Sequence, residues 1–113
     1  MVKVSTRAVN FTLTPALTKQ LAQKIKGIER FLRHFDTTAA ELYLEVGLPS
    51  RHHRHGEIFY AEANLRLAGK LLRAEEQNFS LSVAINAIFK ALEQQLKKLK
   101  ERHSREDIAH RHV

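Results

Sequence analysis

The stretch from Thr14 to Phe35 constrains the fold of this chain more than any other. Its apolar residues Leu17, Leu21, Ile25, Ile28, Leu32 and Phe35 recur at steps of three or four, which places them on one face of an α-helix. Thr14 suits the N-cap, and Pro15 suits the first helical turn, where a missing N–H costs nothing. On the opposite side Lys19, Gln23, Lys26, Arg30 and Arg33 repeat at the same spacing, with His34 beside them and Glu29 on the flank. Such a helix has to bury one stripe against a second layer. Its other stripe forgoes the mildly stabilising Glu–Lys pairs of an ordinary solvated face and is matched to an anionic surface.

The remaining segments supply the second layer. Val2 to Phe11 is rich in β-branched residues, with an alternation that changes phase, and reads as a strand with a bulge. Glu41 to Leu48 alternates cleanly, with Leu42, Leu44, Val46 and Leu48 against Glu41, Tyr43, Glu45 and Gly47. Ile58 to Ala68 does the same, setting Phe59, Ala61, Ala63, Leu65 and Leu67 inward and Tyr60, Glu62, Asn64 and Arg66 outward. Gly69-Lys70 reads as a two-residue hairpin turn into a shorter strand over Leu71 to Glu76. Ser80 caps a second helix whose apolar stripe is Leu81, Ile85, Ile88, Leu92, Leu96 and Leu99, with Lys90, Lys97 and Lys98 on the far side. From Ser104 to Val113 the periodicity is lost, which predicts a disordered tail.

The order β-α-β-β-β-α predicts an α+β fold, a two-layer sandwich in which a four-stranded mixed sheet carries two helices packed on one face. Residues 1–103 form the one domain, and 104–113 the tail. Both helices then turn their cationic sides outward together.

Charge and composition narrow the function. The chain has 113 residues, a net charge of +7 and a hydrophobic fraction of 43%, the balance of a soluble globular domain with a basic excess. That excess points to nucleic acid first, and to an anionic membrane or acidic protein second. Cysteine is absent, which excludes disulfides and thiolate zinc sites and suits the cytosol, so a cytoplasmic protein is expected. No apolar run approaches a membrane span. The glutamates on the strands have no converging nucleophile or base, and there is no glycine-rich phosphate loop, so neither an enzyme, a cofactor nor a small-molecule substrate is expected.

Other features admit more than one role. Pro49 to Gly56 is a polar loop holding Arg51, His52, His53, Arg54 and His55. Adjacent histidines on a loop lack fixed ligand geometry and a nearby carboxylate, so the open readings are a phosphate-contacting finger, which is favoured, and a plain solvated loop, both ahead of a metal site. Lys97 and Lys98 also sit where a helix C-terminus favours cations for structural reasons alone. Tyr43 and Tyr60 on the outer sheet face are placed either for cross-strand packing or for stacking on an unpaired base.

Three stretches resemble the ribosome hibernation-promoting and ribosome-associated inhibitor family of bacteria and plastids. Asn10-Phe11-Thr12-Leu13-Thr14-Pro15-Ala16-Leu17 resembles its strand-to-helix junction. Lys24-Ile25-Lys26-Gly27-Ile28-Glu29-Arg30 is similar to its lysine-rich helix middle, and Ala84-Ile85-Asn86 through Gln95-Leu96-Lys97-Lys98 to its second helix. The likeness spans roughly residues 2–102. It departs at Ser80 to Asn86, where the family's usual Tyr and acids are missing, and no second dimerisation domain follows, so the short form is expected.

The resemblance implies a factor that binds 16S rRNA of the small ribosomal subunit in the mRNA/tRNA channel, blocks initiation by occupancy and preserves idle ribosomes. It is expected to be monomeric away from the ribosome. The expected rRNA contacts are Lys19, Lys24, Lys26, Arg30, Arg33, Arg51, Arg54, Lys90, Lys97, Lys98 and Lys100. The alternatives are a general double-stranded RNA-binding module and a domain for an acidic protein partner. The double-stranded RNA module also sets two helices on a sheet, but it starts with a helix and carries its Lys run at the start of the second one.

Overall fold

The computed structural model describes residues 2–35, 39–49, 58–67 and 69–111, with the side chains of all of these except His34 and 103–111. Strand β1 (Lys3–Val9) leads to helix α1 (Pro15–Phe31) and a 3-10 turn (Leu32–His34). Strands β2 (Glu41–Gly47), β3 (Phe59–Leu67) and β4 (Lys70–Asn78) follow, and helix α2 (Leu81–Arg111) ends the chain. The sheet order is β1-β2-β3-β4, with β1 and β2 parallel and the other pairs antiparallel. The α+β sandwich expected from the sequence is therefore the fold observed.

One face of the sheet is buried and the other is open. Leu42, Leu44 and Val46 of β2 and Ala61, Ala63, Leu65 and Leu67 of β3 lie under Ile28, Leu32, Ile85, Ile88, Phe89, Leu92 and Leu96 from the helical layer. These are the positions the two periodicities assign to the core. Burying a side chain of this size contributes about 1.5–3 kcal/mol, so this apolar layer dominates stability.

The ends of the elements depart from expectation for local reasons. No bulge interrupts β1, whose pairing runs unbroken from Lys3–Glu41 to Val9–Gly47. The change of phase arises instead because Val4, beside Leu42, lies on the core side of the unbroken strand and Val9, beside Gly47, on its open side; Asn10 then turns the chain with φ +53°, a conformation Asn tolerates well. Phe11 then packs edge-on against Phe59, with ring centroids 5.3 Å apart. Thr14 caps α1 as expected, its Oγ1 accepting from the Leu17 N–H at 3.2 Å. The α-helix stops at Phe31 rather than Phe35: the 3-10 turn tightens its end, and Phe35 is already extended.

At the β3–β4 hairpin, Lys70 is the first residue of β4 and pairs with Leu67. The two-residue connection is thus 68–69, with Gly69 at φ +76° supplying the left-handed position, and β4 runs two residues further than expected, to Asn78. Helix α2 continues to Arg111, through the segment the sequence reading assigns to a disordered tail. No Gly or Pro occurs between Leu81 and Arg111 to stop it. Its last core contact among the described side chains is Leu99.

Candidate nucleic-acid interface

Two contacts set the helices side by side and fix their direction. Near the start of both, the Gln20 Nε2 donates to the Ser82 carbonyl and to Asn86 Oδ1, each at 2.9 Å. About two turns further along α1, Gly27 faces Glu93, whose Oε1 lies 3.9 Å from where a Cβ at position 27 would sit. Advancing from 20 to 27 on α1 while moving from 82 and 86 to 93 on α2 makes the helices parallel. Their outer surfaces therefore form one furrowed layer above the sheet.

Lys19, Lys26 and Arg30 are exposed on the solvent side of α1, and Arg33 is exposed on the 3-10 turn that continues it. Lys24 is separate. It is half-buried and shares the side of α1 that carries Gln20 and Gly27, so it faces the furrow. On α2, Lys90 and Lys97 are exposed and two turns apart on one side, with Glu93 between them. Lys98 leaves this ridge. It lies three residues beyond Gln95, whose Nε2 donates to the Arg73 carbonyl of β4, so Lys98 overhangs the outer sheet edge. Lys100 is exposed one turn past Lys97, towards the furrow side. Arg51 and Arg54, with the histidines of their loop, lie outside the described residues.

None of these cations has a carboxylate within ion-pair distance among the described residues; the ion pairs found there are all on the sheet. The open sheet face differs in kind. Lys3, Arg7, Arg66 and Arg73 are there balanced by Glu41, Glu45, Glu62 and Glu75. Glu45, Glu62 and Glu75 form a row across three strands. Arg73 bridges two of them, at 3.0 Å to Glu62 and 3.3 Å to Glu75, and Arg7 approaches Glu45 at 3.9 Å.

Both tyrosines of that face are tied to carboxylates. The Tyr60 hydroxyl donates to Glu45 at 2.8 Å, and burial followed by this bond pushes its pKa up to about 12. Tyr43 donates to Glu41, a bond that is the main cause of its own raised pKa. The helical layer through Arg102 carries ten cations against Glu29, Glu93 and Glu101, an excess equal to the whole net charge of the chain.

A motif model described as Sigma 54 modulation protein / S30EA ribosomal protein matches residues 4–104, nearly the whole sheet-and-helix body. The chain belongs to this family. Its fold is shared with the N-terminal domain of Protein Y from Thermus thermophilus, with a TM-score of 0.63, 24% identity and coverage of 83% of this chain and 93% of that one. A ribosomal subunit interface protein from Coxiella burnetii is also similar, with a TM-score of 0.63, 16% identity and coverage of 89% and 99%. Among curated proteins, none matches the chain. At these identities the two structures establish the shared architecture.

Sequence reasoning did not find a concavity of about 400 Å³ at the end of α1, lined by Lys26, Glu29, Arg30 and Arg33 together with Val2, Leu32 and Phe35. Val2 and Phe35 are brought there from outside the helix, and no local spacing signals that. Among the described residues there is no group of three His, Asp or Glu placed to hold a metal ion, and no helix is long and apolar enough to cross a membrane.

Proposed function

We propose that this protein is a ribosome hibernation factor that binds 16S rRNA in the mRNA/tRNA channel of the small subunit. It stops initiation by occupying the channel and so preserves idle ribosomes. Membership of a ribosomal-protein family supports the partner, as does the likeness to a protein described as sitting at the ribosomal subunit interface. The observation that carries the reading is the segregation of charge. The helical layer holds the excess cations, which have no ion-pair partners among the described residues, whereas the sheet face is neutralised by its own glutamates.

Cations left free on a rigid layer retain their full attraction for phosphate. Each phosphate they neutralise releases condensed counterions, so affinity falls steeply with salt. The mechanism needs no chemical step, since a body wedged against rRNA excludes mRNA and tRNA by volume. Chemical probing of 16S rRNA in purified 30S subunits tests it. The protein should protect nucleotides lining the channel and reduce formation of initiation complexes in proportion to occupancy. Protection confined to the solvent side of the subunit, or displacement by a modest excess of duplex RNA, would reject the channel reading.

A further inference from the structure

The concavity at the end of α1 differs from the rest of the cationic layer. Lys26, Glu29, Arg30 and Arg33 border it, but it also has an apolar side, formed by the half-buried Val2 and Phe35 over the buried Leu32. A surface that only tracks phosphates has no use for an apolar wall, whereas a nucleobase does. At about 400 Å³ the space is at the lower end of small-ligand sites, which run from about 300 to 1,000 Å³, and fits one nucleotide rather than a larger group.

Glu29 adds the second clue. It is the one acid lining the concavity, and it stands three residues after Lys26 and four before Arg33, both spacings at which helical ion pairs form. It makes no such pair among the described residues. An acid here weakens phosphate attraction, so its presence has to be offset by something it recognises. The Watson–Crick edge of guanine offers two adjacent N–H donors to a carboxylate, adenine and cytosine offer one amine, and uracil offers a single ring N–H.

We infer that this concavity binds a single nucleotide, guanine by preference, with its phosphate against Lys26, Arg30 and Arg33, its base against the apolar wall and its donor edge on Glu29. The inference deepens the RNA-binding reading, on which the natural source of the nucleotide rests. An unpaired guanosine of an RNA and a free guanine nucleotide share the same chemistry.

Heteronuclear NMR titration of the full chain tests it, with GMP, UMP, ribose 5-phosphate and inorganic phosphate as probes. GMP should shift the resonances of Glu29, Arg30, Arg33 and Phe35 and bind about tenfold tighter than ribose 5-phosphate, the scale of one stacked base. Glu29→Gln should remove the preference for GMP over UMP without weakening ribose 5-phosphate, and Arg33→Gln should weaken every phosphate-bearing probe. Equal affinity for GMP and ribose 5-phosphate, no response to GMP at these residues, or shifts centred on Lys90 and Lys97 would overturn the inference. A single-stranded oligonucleotide with one guanosine, compared with its abasic counterpart, identifies the source. Discrimination between these two assigns the site to RNA, and a response to GMP alone assigns it to free nucleotide. Binding of the unaltered chain to 30S subunits is measured separately: absence of 30S binding with an intact GMP response counts against the ribosome reading alone, whereas Lys90→Gln, outside the concavity, should weaken 30S binding and keep the GMP response.

Discussion

Gly47 holds the parallel edge of the sheet in register. Its φ is +149°, and a Cβ there would lie 2.0 Å from the carbonyl oxygen of Val9, the residue it pairs with on β1. The next N–H, that of Leu48, donates to the same carbonyl at 2.9 Å, and Asn10 Nδ2 closes the corner on the Leu48 carbonyl at 3.1 Å. Gly47→Ala therefore has to part β1 from β2. It should destabilise the protein by ~3 kcal/mol in denaturant unfolding, and a loss below the error of the measurement would show that the close approach is not rigid.

Tyr60 supplies a second test at this scale. Its pKa is pushed up to about 12 from an ordinary 10.0, by burial first and then by its bond to Glu45. A value raised in the folded state means the phenol's contribution to stability is complete below pH 10 and is lost as the pH rises through 12. The chain has two tyrosines and no tryptophan, so phenolate absorbance reports only Tyr43 and Tyr60. The phase near pH 12 should disappear in Tyr60→Phe, and its persistence would assign it to Tyr43 instead.

Among the elements, the two helices were the most legible in the sequence, and the reason lies in which rules govern which positions. Leu21, Ile28, Leu32, Ile85, Leu92 and Leu96 are buried because a helix in water has one way to hide a stripe, and its period is visible in the chain. The Thr14 cap and the alternation in β2 and β3 were legible for the same reason. Helix and strand ends were not. Whether Phe35 continues α1 or leaves it is settled by packing and turn geometry, as is the residue that opens β4.

The helical part of the proposed rRNA-binding set was legible only as a list of cations. Which of them share a ridge depends on which side of each helix faces its neighbour. Gln20, Gly27, Glu93 and Gln95 decide that, and with it the separation of Lys98 and Lys24 from the rest. Gly27 itself is not required by space or conformation, since a Cβ there meets only Glu93 Oε1 at an ordinary 3.9 Å. Gly27→Ala should accordingly stabilise the protein by ~0.5–1 kcal/mol through helix propensity. A lower melting temperature would mean that the helices are packed more closely there than this contact indicates.

At the scale of the whole molecule, the slab has one neutral face and one cationic face. The distinction decides how it approaches a polyanion, because four cations balanced by four carboxylates on the sheet create little field beyond a Debye length of about 8 Å in physiological salt. On the proposed function the helical layer, with its excess equal to the net charge, should set both the orientation of encounter and the salt dependence. Two double variants that remove the same charge from opposite faces separate this account from a simple effect of net charge.

Co-sedimentation with purified 30S subunits across a salt series, comparing Lys26→Gln/Arg30→Gln with Lys3→Gln/Arg66→Gln, is the most direct measurement. The helix-face variant should bind more weakly and lower the slope of log affinity against log salt by about two, one for each lost phosphate contact, while the sheet-face variant binds like the wild type. Equal losses from both variants, or full binding by the helix-face variant, would contradict the assignment of the rRNA-binding surface to the helices.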